Sequence, residues 1–186
     1  MSPELIVFVD KSGKPTGKTG PKLESHTNDT KLHLAFSCYI FNESSGELLV
    51  TRRALKKKVW PGVWTNSVCG HPLPKESLEA AIKRRVLYEV GIKNIQNISC
   101  ILPSYTYTTP PYHGIVENEF CPVFIATTTD EVNANPDEVE DYKWLSWQEY
   151  KDFIENGNNV SYWAKDQYTQ LVKSRKFIDF LKSNDL

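Results

Sequence analysis

No apolar run in the sequence approaches the ~20 residues needed to span a bilayer, so a membrane span is not expected. Its opening residues, MSPELIVFVDKSGK, place an acidic residue ahead of a short apolar run and carry no basic leader, which argues against a secretory signal. Charge of one sign is missing too: 22 Lys and Arg face 23 Asp and Glu, for a net charge of −1. Nothing global draws such a chain to nucleic acid or a membrane surface, and any anion site must come from local clustering of Lys and Arg. Cysteine is sparse. Cys38, Cys69, Cys100 and Cys121 lie far apart with no C-x-x-C pair. They read as free thiols in a reducing, cytoplasmic setting, with Cys38, Cys100 and Cys121 buried among apolar neighbours. Internal repeats, low-complexity blocks and Gly/Ser linkers are absent, and 186 residues suit one well-buried domain spanning 1–186.

What is present is a mixture of strand and helix signals. LIVFVD reads as a strand and KSGKPTG as a turn, while LHLAFSCYIFN, ESSG and ELLVTRRA predict a hairpin over Leu32 to Ala54. KESLEAAIKRRVLYEVGI is the clearest helix, with Leu78, Ala81, Ile82, Val86 and Val90 at helical spacing and Gly91 to end it. ISCILPSYTYT and ENEFCPVFIATT read as strands, and a Pro/Asp/Glu-rich loop then leads to DYKWLSW. SWQEYKDFIENG reads as a helix capped by Ser146, and WAKDQYTQLVKSRKFIDFLK as a helical tail. Strands around helices in mixed order predict an α/β fold, a mixed sheet with flanking helices, with its core at about 31–150 and its tail at about 160–184.

The stretch WPGVWTNSVCGHP sets Cys69 two residues from His71, beside Trp60 and Trp64. Packing explains the tryptophans, which are expected to support the loop carrying Cys69. The thiol and imidazole also suit acid/base work and metal binding. Only four histidines exist, His26, His33, His71 and His113. In GIVENEFCPVF, Glu117 and Glu119 are two apart on a predicted strand, so both carboxylates point to one face, where Ile115, Cys121 and Val123 continue the alternation. Two carboxylates on a buried face need a cation or a shared proton, whereas an exposed strand end would leave them solvated. A metal held by His26, His33, His71, Glu117 and Glu119 would satisfy every group, and such a donor set suits Mn, Fe, Co or Zn better than Ca. TRRALKKK is a basic run with two readings: a solvated face, or an anion site in which Arg53 and Lys57, four apart, converge while Arg52, Lys56 and Lys58 face water.

GHPLPKESLEAAIKRRVLYEVGI, with Gly70, Glu76, Arg84, Glu89 and Gly91, resembles the Nudix box, a loop–helix–loop whose acidic residues hold Mg²⁺ against a diphosphate. The match is incomplete: Arg85 and Tyr88 stand where the pattern has glutamates, which argues against ordinary diphosphate hydrolysis. HTNDTKLHLAFS, LLVTRRALKKKVWPGVWTNSVCGHP and GIVENEFCPVF together resemble the type I isopentenyl diphosphate isomerases, enzymes of Nudix fold, over nearly the whole chain. That resemblance implies one divalent metal, Mn²⁺, Mg²⁺ or Zn²⁺, on His26, His33, His71, Glu117 and Glu119. It implies Cys69 and Glu119 as catalytic groups with Tyr107 beside Glu119, and Glu89 holding a second Mg²⁺ that arrives with the diphosphate. Lys22, Arg53, Lys57 and Arg85 would reach the diphosphate, and Trp163 would face the hydrocarbon tail.

The implied reaction moves a double bond between isopentenyl and dimethylallyl diphosphate, so a proton must be gained at one carbon and lost from another. Cys69 and Glu119 can supply the two groups. In one assignment Glu119, bonded to Tyr107, protonates the alkene and Cys69 accepts the allylic proton as a thiolate of lowered pKa; spacing leaves the roles open. A tertiary carbocation would need aromatic walls that exclude water and face it with π density, Trp163 among them. The expected partner is a small diphosphate, the expected form a monomer, with no nucleic acid or membrane involved. The alternatives are a Nudix diphosphate hydrolase, which needs no thiol at Cys69, and a metal-binding module without turnover. His113 and Cys100 receive no role.

Overall fold

A computed structural model describes residues 4–184. In chain order the elements are β1 (Leu5–Val9), β2 (Pro15–Pro21), α1 (Lys22–Ser25), β3 (His33–Leu34), β4 (Phe36–Asn42), β5 (Leu48–Arg53), β6 (Trp64–Thr65), β7 (Val68–Gly70) and α2 (Leu78–Val90). They continue with β8 (Gln96–Leu102), β9 (Thr106–Thr108), β10 (Asn118–Phe120), β11 (Val123–Thr128), β12 (Val139–Leu145), α3 (Trp147–Asn156), α4 (Tyr162–Leu171) and α5 (Arg175–Ser183). One sheet runs β2-β1-β3-β10-β9. The other runs β12-β5-β4-β11-β8, with β6 paired to β5 and β7 to β4.

The larger sheet is covered on both faces. β4, FSCYIFN, is buried almost throughout, as a strand between two layers must be. Its alternation sends Phe36, Cys38 and Ile40 toward Ala81, Ile82, Val86 and Val90 of α2, and Tyr39 and Phe41 toward Tyr150 and Phe177 of the C-terminal helices. Ser77 caps α2 by accepting from Ala80 N at 3.2 Å, and Gly91 ends it in the left-handed region at φ 68°. Ser146 and Glu149 form the capping box of α3. Ile82 is fully buried, so Ile82→Ala would cost about 2–5 kcal/mol and loosen the helix that carries Arg85 and Glu89. Among the described residues no helix is long and apolar enough to cross a membrane.

Two departures from the sequence reading position the site. The hairpin over Leu32 to Ala54 keeps its turn and one ladder pair, Phe41 with Leu48, and then its strands part. β6 enters the gap along β5, pairing Thr65 with Thr51; the chain reverses at Asn66–Ser67; and β7 leaves along β4, pairing Cys69 with Ser37. Side chains hold the buried reversal. Ser67 Oγ donates to Leu49 O at 2.6 Å and accepts from Ile40 N at 2.8 Å, and Asn66 Nδ2 donates to Cys38 O and Val68 O, each at 3.1 Å. These bonds satisfy backbone groups that separated strands leave open.

The second departure is at Cys121–Pro122, where the predicted strand ENEFCPVFIATT divides into β10 and β11. Pro122 has no N–H to give a ladder, and the chain passes there from one sheet to the other. The parallel register with β3–β4 nonetheless runs unbroken, Glu119 opposite His33 and Val123 opposite Ser37. Smaller differences follow the same logic. ISCILPSYTYT splits into β8 and β9, the tail breaks at Ser174 into α4 and α5, and the predicted turn KSGKPTG turns over 11–13 while its last three residues already belong to the edge strand β2, with prolines at its two ends. Cys38 and Cys121 are buried as expected, but Cys100 lies half-buried on the edge strand β8.

Candidate active site

Strand register assembles the first half of the site. Tyr107 on β9, Glu119 on β10 and His33 on β3 lie side by side across three neighbouring strands, so their side chains share one face. Tyr107 Oη donates to Glu119 Oε2 at 2.8 Å, and Glu119 Oε1 lies 3.6 Å from His33 Nε2. His71, just past β7, brings its Nε2 to 3.1 Å from Glu119 Oε1 and 3.2 Å from His33 Nε2. The loop bearing His71 is fixed by Arg84, which donates to His71 O at 3.0 Å and grips Glu76 with two bonds of 2.7 and 2.8 Å. His26, after α1, completes the group, its Nε2 lying 3.2 Å from Glu117 Oε2. Glu117 precedes β10 instead of lying on it, so it approaches His26 from the loop while Glu119 faces the other two rings.

The donor set fits a divalent metal. His26, His33, His71 and Glu119 each offer an atom within 4.8 Å of the others. His26 Nδ1 and His33 Nδ1 donate to the carbonyls of Lys22 (2.5 Å) and Lys31 (2.9 Å), which leaves their Nε2 lone pairs pointing inward at a carboxylate. Glu117 Oε2 is buried with no hydrogen bond of its own. Lone pairs and carboxylates converging in this way repel one another unless a cation sits among them. The shifts at His71 and Glu119 favour the deprotonated forms that metal ligands need. Burial, aided by the charge of Lys22, pushes His71 down to about 4. Burial resists the charge of Glu119, but the adjoining imidazoles of His33 and His71 hold its carboxyl well below the usual range. His26 moves the other way, because Glu117 outweighs its burial.

Cys69 forms the second half, on the other sheet. Its thiol donates to Asn66 Oδ1 at 3.0 Å, and its sulfur lies 3.3 Å from Ser37 Oγ. The sequence reading looks to nearby Mg²⁺ or Arg cations to lower this pKa; on balance the groups around the thiol act in the opposite sense. Burial pushes the thiol up to about 12, with Glu119 adding to the shift, so the protein's own groups hold Cys69 as S–H. Burial and the neighbouring Glu119 likewise keep the Tyr107 phenol protonated. Cys69, Glu119, Tyr107 and Trp163 line one inner cavity of about 90 Å³. Gly70 is required beside it, since a Cβ there would come within 2.9 Å of Arg85 Cγ. Trp163 Nε1 donates to Thr65 Oγ1 at 2.7 Å, and its ring lies 6.2 Å from Tyr107. Trp60 joins this aromatic wall, its ring 6.2 Å from Trp163 and 4.7 Å from Tyr112; Trp64 instead packs on Phe153, with Lys143 over its ring.

Outside the inner cavity lies a wider basin of about 460 Å³, and Lys22, Arg53 and Lys57 border both. Most cations here already have acidic partners. Lys22 pairs with Glu4 at 3.1 Å and Lys57 with Glu138. Arg85 donates to Glu89 at 2.6 and 2.8 Å and lies 3.3 Å from Glu138. Glu89, predicted as a metal ligand, is thus ion-paired within the chain, and its burial raises its pKa against that pairing. Arg53 differs: it donates to the carbonyls of Trp60 (3.1 Å) and Val59 (2.9 Å), lies over the Trp163 ring at 5.8 Å, and has no carboxylate partner among the described residues. Of the cations expected to face water, Lys56 and Lys58 are exposed on the basin, but Arg52 braces the loop by donating to Gly62 O at 3.0 Å.

Sequence reasoning misses Glu138, Asn66 and Ser37. Glu138 lies in an acidic loop where nothing sets it apart from Asp137 and Glu140, and Asn66 and Ser37 acquire their neighbours only through the strand wedge. His113, in the left-handed region at φ 46°, packs on Tyr112 and lines neither cavity.

Residues 31–164 match the NUDIX domain family. The isopentenyl-diphosphate Delta-isomerase of Citrobacter koseri is 53% identical over 144 residues, 77% of this chain and 78% of that protein. The one from Paenarthrobacter aurescens is 46% identical over 172 residues, 92% of each, and that of Salmonella paratyphi B 44% over 181, 97% of this chain and 98% of its own. Among solved structures, a Deinococcus radiodurans protein superposes with a TM-score of 0.69 at 16% identity, covering 90% of this chain and 98% of its own, and a MutT protein from Methanosarcina mazei with 0.59 at 21%, covering 75% and 91%. These two likenesses concern the fold alone. Matched to the domain over most of its length and to the relatives nearly end to end, the chain belongs to the Nudix family and, within it, to the isopentenyl-diphosphate Delta-isomerases.

Proposed function

We propose that this chain interconverts isopentenyl diphosphate and dimethylallyl diphosphate, with Cys69 and Glu119 as its two acid/base groups. One observation carries the reading: a thiol on one sheet and a carboxylate on the other line the same small cavity, whose outer side is bordered by cations. The diphosphate lies at that border, anchored by Arg53 and reached by Lys22, Lys57 and Arg85 as they exchange carboxylate for phosphate oxygens. The hydrocarbon tail enters the inner cavity. There a proton is gained at the terminal alkene carbon as another leaves the carbon nearer the diphosphate, with Cys69 serving one transfer and Glu119 the other; the roles exchange when the reaction reverses. Tyr107 fixes the Glu119 carboxylate through its 2.8 Å bond. The Trp163 ring faces the positive charge that develops at the tertiary carbon and, with Tyr107, keeps water away from it.

A divalent cation, Mn²⁺, Mg²⁺ or Zn²⁺, held by His26, His33, His71, Glu117 and Glu119 would supply positive charge beside the Glu119 carboxylate. Glu89 would be the protein ligand for Mg²⁺ that enters with the diphosphate. Four free thiols support a reducing, cytoplasmic setting. The working form is a monomer, and a gel-filtration mass of one chain is its check.

The test is incubation with isopentenyl diphosphate and Mg²⁺ in deuterated water, followed by NMR. Dimethylallyl diphosphate carrying deuterium is the expected product. Unchanged substrate, or free phosphate as a hydrolase would release, overturns the reading.

A further inference from the structure

Cys69 sits at the end of a buried hydrogen-bond chain that runs from Tyr39 on β4 through Gln167, 98 residues beyond Cys69 on α4. Tyr39 Oη donates to Gln167 Oε1 at 3.0 Å, and Gln167 Nε2 donates to Ser37 Oγ at 2.8 Å. Ser37 Oγ then meets Cys69 Sγ at 3.3 Å, with Cys121 Sγ farther off at 3.5 Å. Tyr39, Gln167 and Ser37 are all fully buried, so no water competes for these bonds.

Proton counting fixes the direction at the sulfur. Asn66 Nδ2 spends both hydrogens on the carbonyls of Cys38 and Val68, which turns Asn66 Oδ1 toward Cys69. Thr65 Oγ1 receives Trp163 Nε1 and Ser161 Oγ, so its own proton also goes to Asn66 Oδ1, at 3.0 Å. The single Cys69 hydrogen therefore points to Asn66. Ser37, which receives the Gln167 N–H, has one hydrogen left, and Cys69 Sγ is the nearer acceptor.

We infer that Ser37, oriented by Gln167 and Tyr39, is a positioning residue for the isomerisation: its hydroxyl donates to Cys69 Sγ, and together with Asn66 it holds the sulfur toward the inner cavity. The inference rests on the reading of Cys69 as an acid/base group. Bonds of opposite direction on one sulfur leave it a single rotamer, and chains of this kind strengthen their members when fully satisfied. Gln167 lies on α4 four residues after Trp163, so the helix that presents the aromatic wall also orients the thiol.

The test compares Ser37→Ala, Gln167→Leu, the pair together, and Cys69→Ala, by steady-state kinetics on isopentenyl diphosphate. Ser37→Ala is expected to lower kcat about 10²-fold, as for a reacting group displaced by an ångström, with KM within about twofold. Gln167→Leu, which spares the sheet, should lower kcat at least about tenfold, and the double variant should lose no more than Ser37→Ala alone. Ser37→Thr, which keeps the hydroxyl, should recover most of the loss. Losses that multiply in the double variant, a rise in KM without a fall in kcat, or a Ser37→Ala enzyme within about twofold of wild type overturn the inference while leaving Cys69 in its role. Should Ser37→Ala fail to fold, Gln167→Leu alone decides: unchanged kcat overturns the inference. If Cys69→Ala keeps its activity, it is the reading of Cys69 that fails.

Discussion

The two ends of the cavity are built on different plans. At the inner end, Tyr107, Glu119 and His33 are set by strand register, and two of the three imidazoles are braced by backbone carbonyls, so the donor atoms already converge. At the mouth, long side chains from α1, β5 and its following loop, and α2 answer one another's charges: Lys22 with Glu4, Lys57 with Glu138, Arg85 with Glu89 and Glu138. The inner end offers converging donor atoms to a divalent ion without rearrangement. In the proposed reaction the mouth trades partners when a diphosphate arrives, and among the described residues that border it only Arg53 is held in place without a carboxylate to give up. A rigid interior pre-organises the chemistry, whereas the exchangeable rim keeps buried cations compensated until substrate displaces their acids.

Substitutions at the two ends should differ in kind. Glu119→Gln removes the proposed acid/base group and metal ligand together and should lower kcat about 10³–10⁴-fold or more, read by the deuterium NMR assay; a loss of tenfold or less would break the division between the ends. Next is a pH effect. His71 has a folded pKa depressed to about 4, so the unfolded chain binds the extra proton between that value and its ordinary one. Chelator-treated protein should therefore lose stability as pH falls from about 6.5 toward 4, by at most roughly 3 kcal/mol from this group, while above 6.5 its contribution is fully present. Denaturant unfolding of His71→Asn should show a flatter profile over that window.

At the mouth, Arg53→Ala should raise KM by about 10–100-fold, the scale of a charge-assisted hydrogen bond, with a smaller change in kcat. A kcat effect as large as that of Glu119→Gln would show that the ends are not separable. The smallest effect belongs to Lys56→Ala. Its pair with Asp137 is more than half exposed, so stability should move by less than about 1 kcal/mol and KM by less than about threefold, shrinking further as salt is added.

Several of these features were readable from sequence, and those that were share a cause. The end of α2 at Gly91 and the start of α3 at Ser146 are written in local chemistry, and local rules find them; Ser77 and Glu149, left out of that reading, complete the caps in the structure. His26, His33, His71, Glu117, Glu119 and Cys69 lie in stretches specific enough to be recognised, and the fold brings these six to one region. What escaped depends on distant partners. Ser37 looks like one more residue of an apolar strand until β7 brings Cys69 against it and α4 brings Gln167. The thiol's raised pKa likewise follows from burial beside Glu119, a quantity no spacing encodes. The reading of Arg85 as a phosphate ligand leaves out its pairs with Glu89, one helical turn on, and with Glu138 from a far loop.

The unbroken register across Pro122 has a consequence for how the chain tolerates change in length. β3–β4 serves as a common ruler: it sets Glu119 by His33 before the interruption and, through Ser37, sets Cys69 after it. Deleting one residue between Glu119 and Val123 would require the ruler to slip on one side, and a slip of one position turns a strand's side chains over. The carboxylate would then face away from the imidazoles while the thiol stayed where it is, so a shortening too small to unfold either sheet would uncouple the two proton-handling walls.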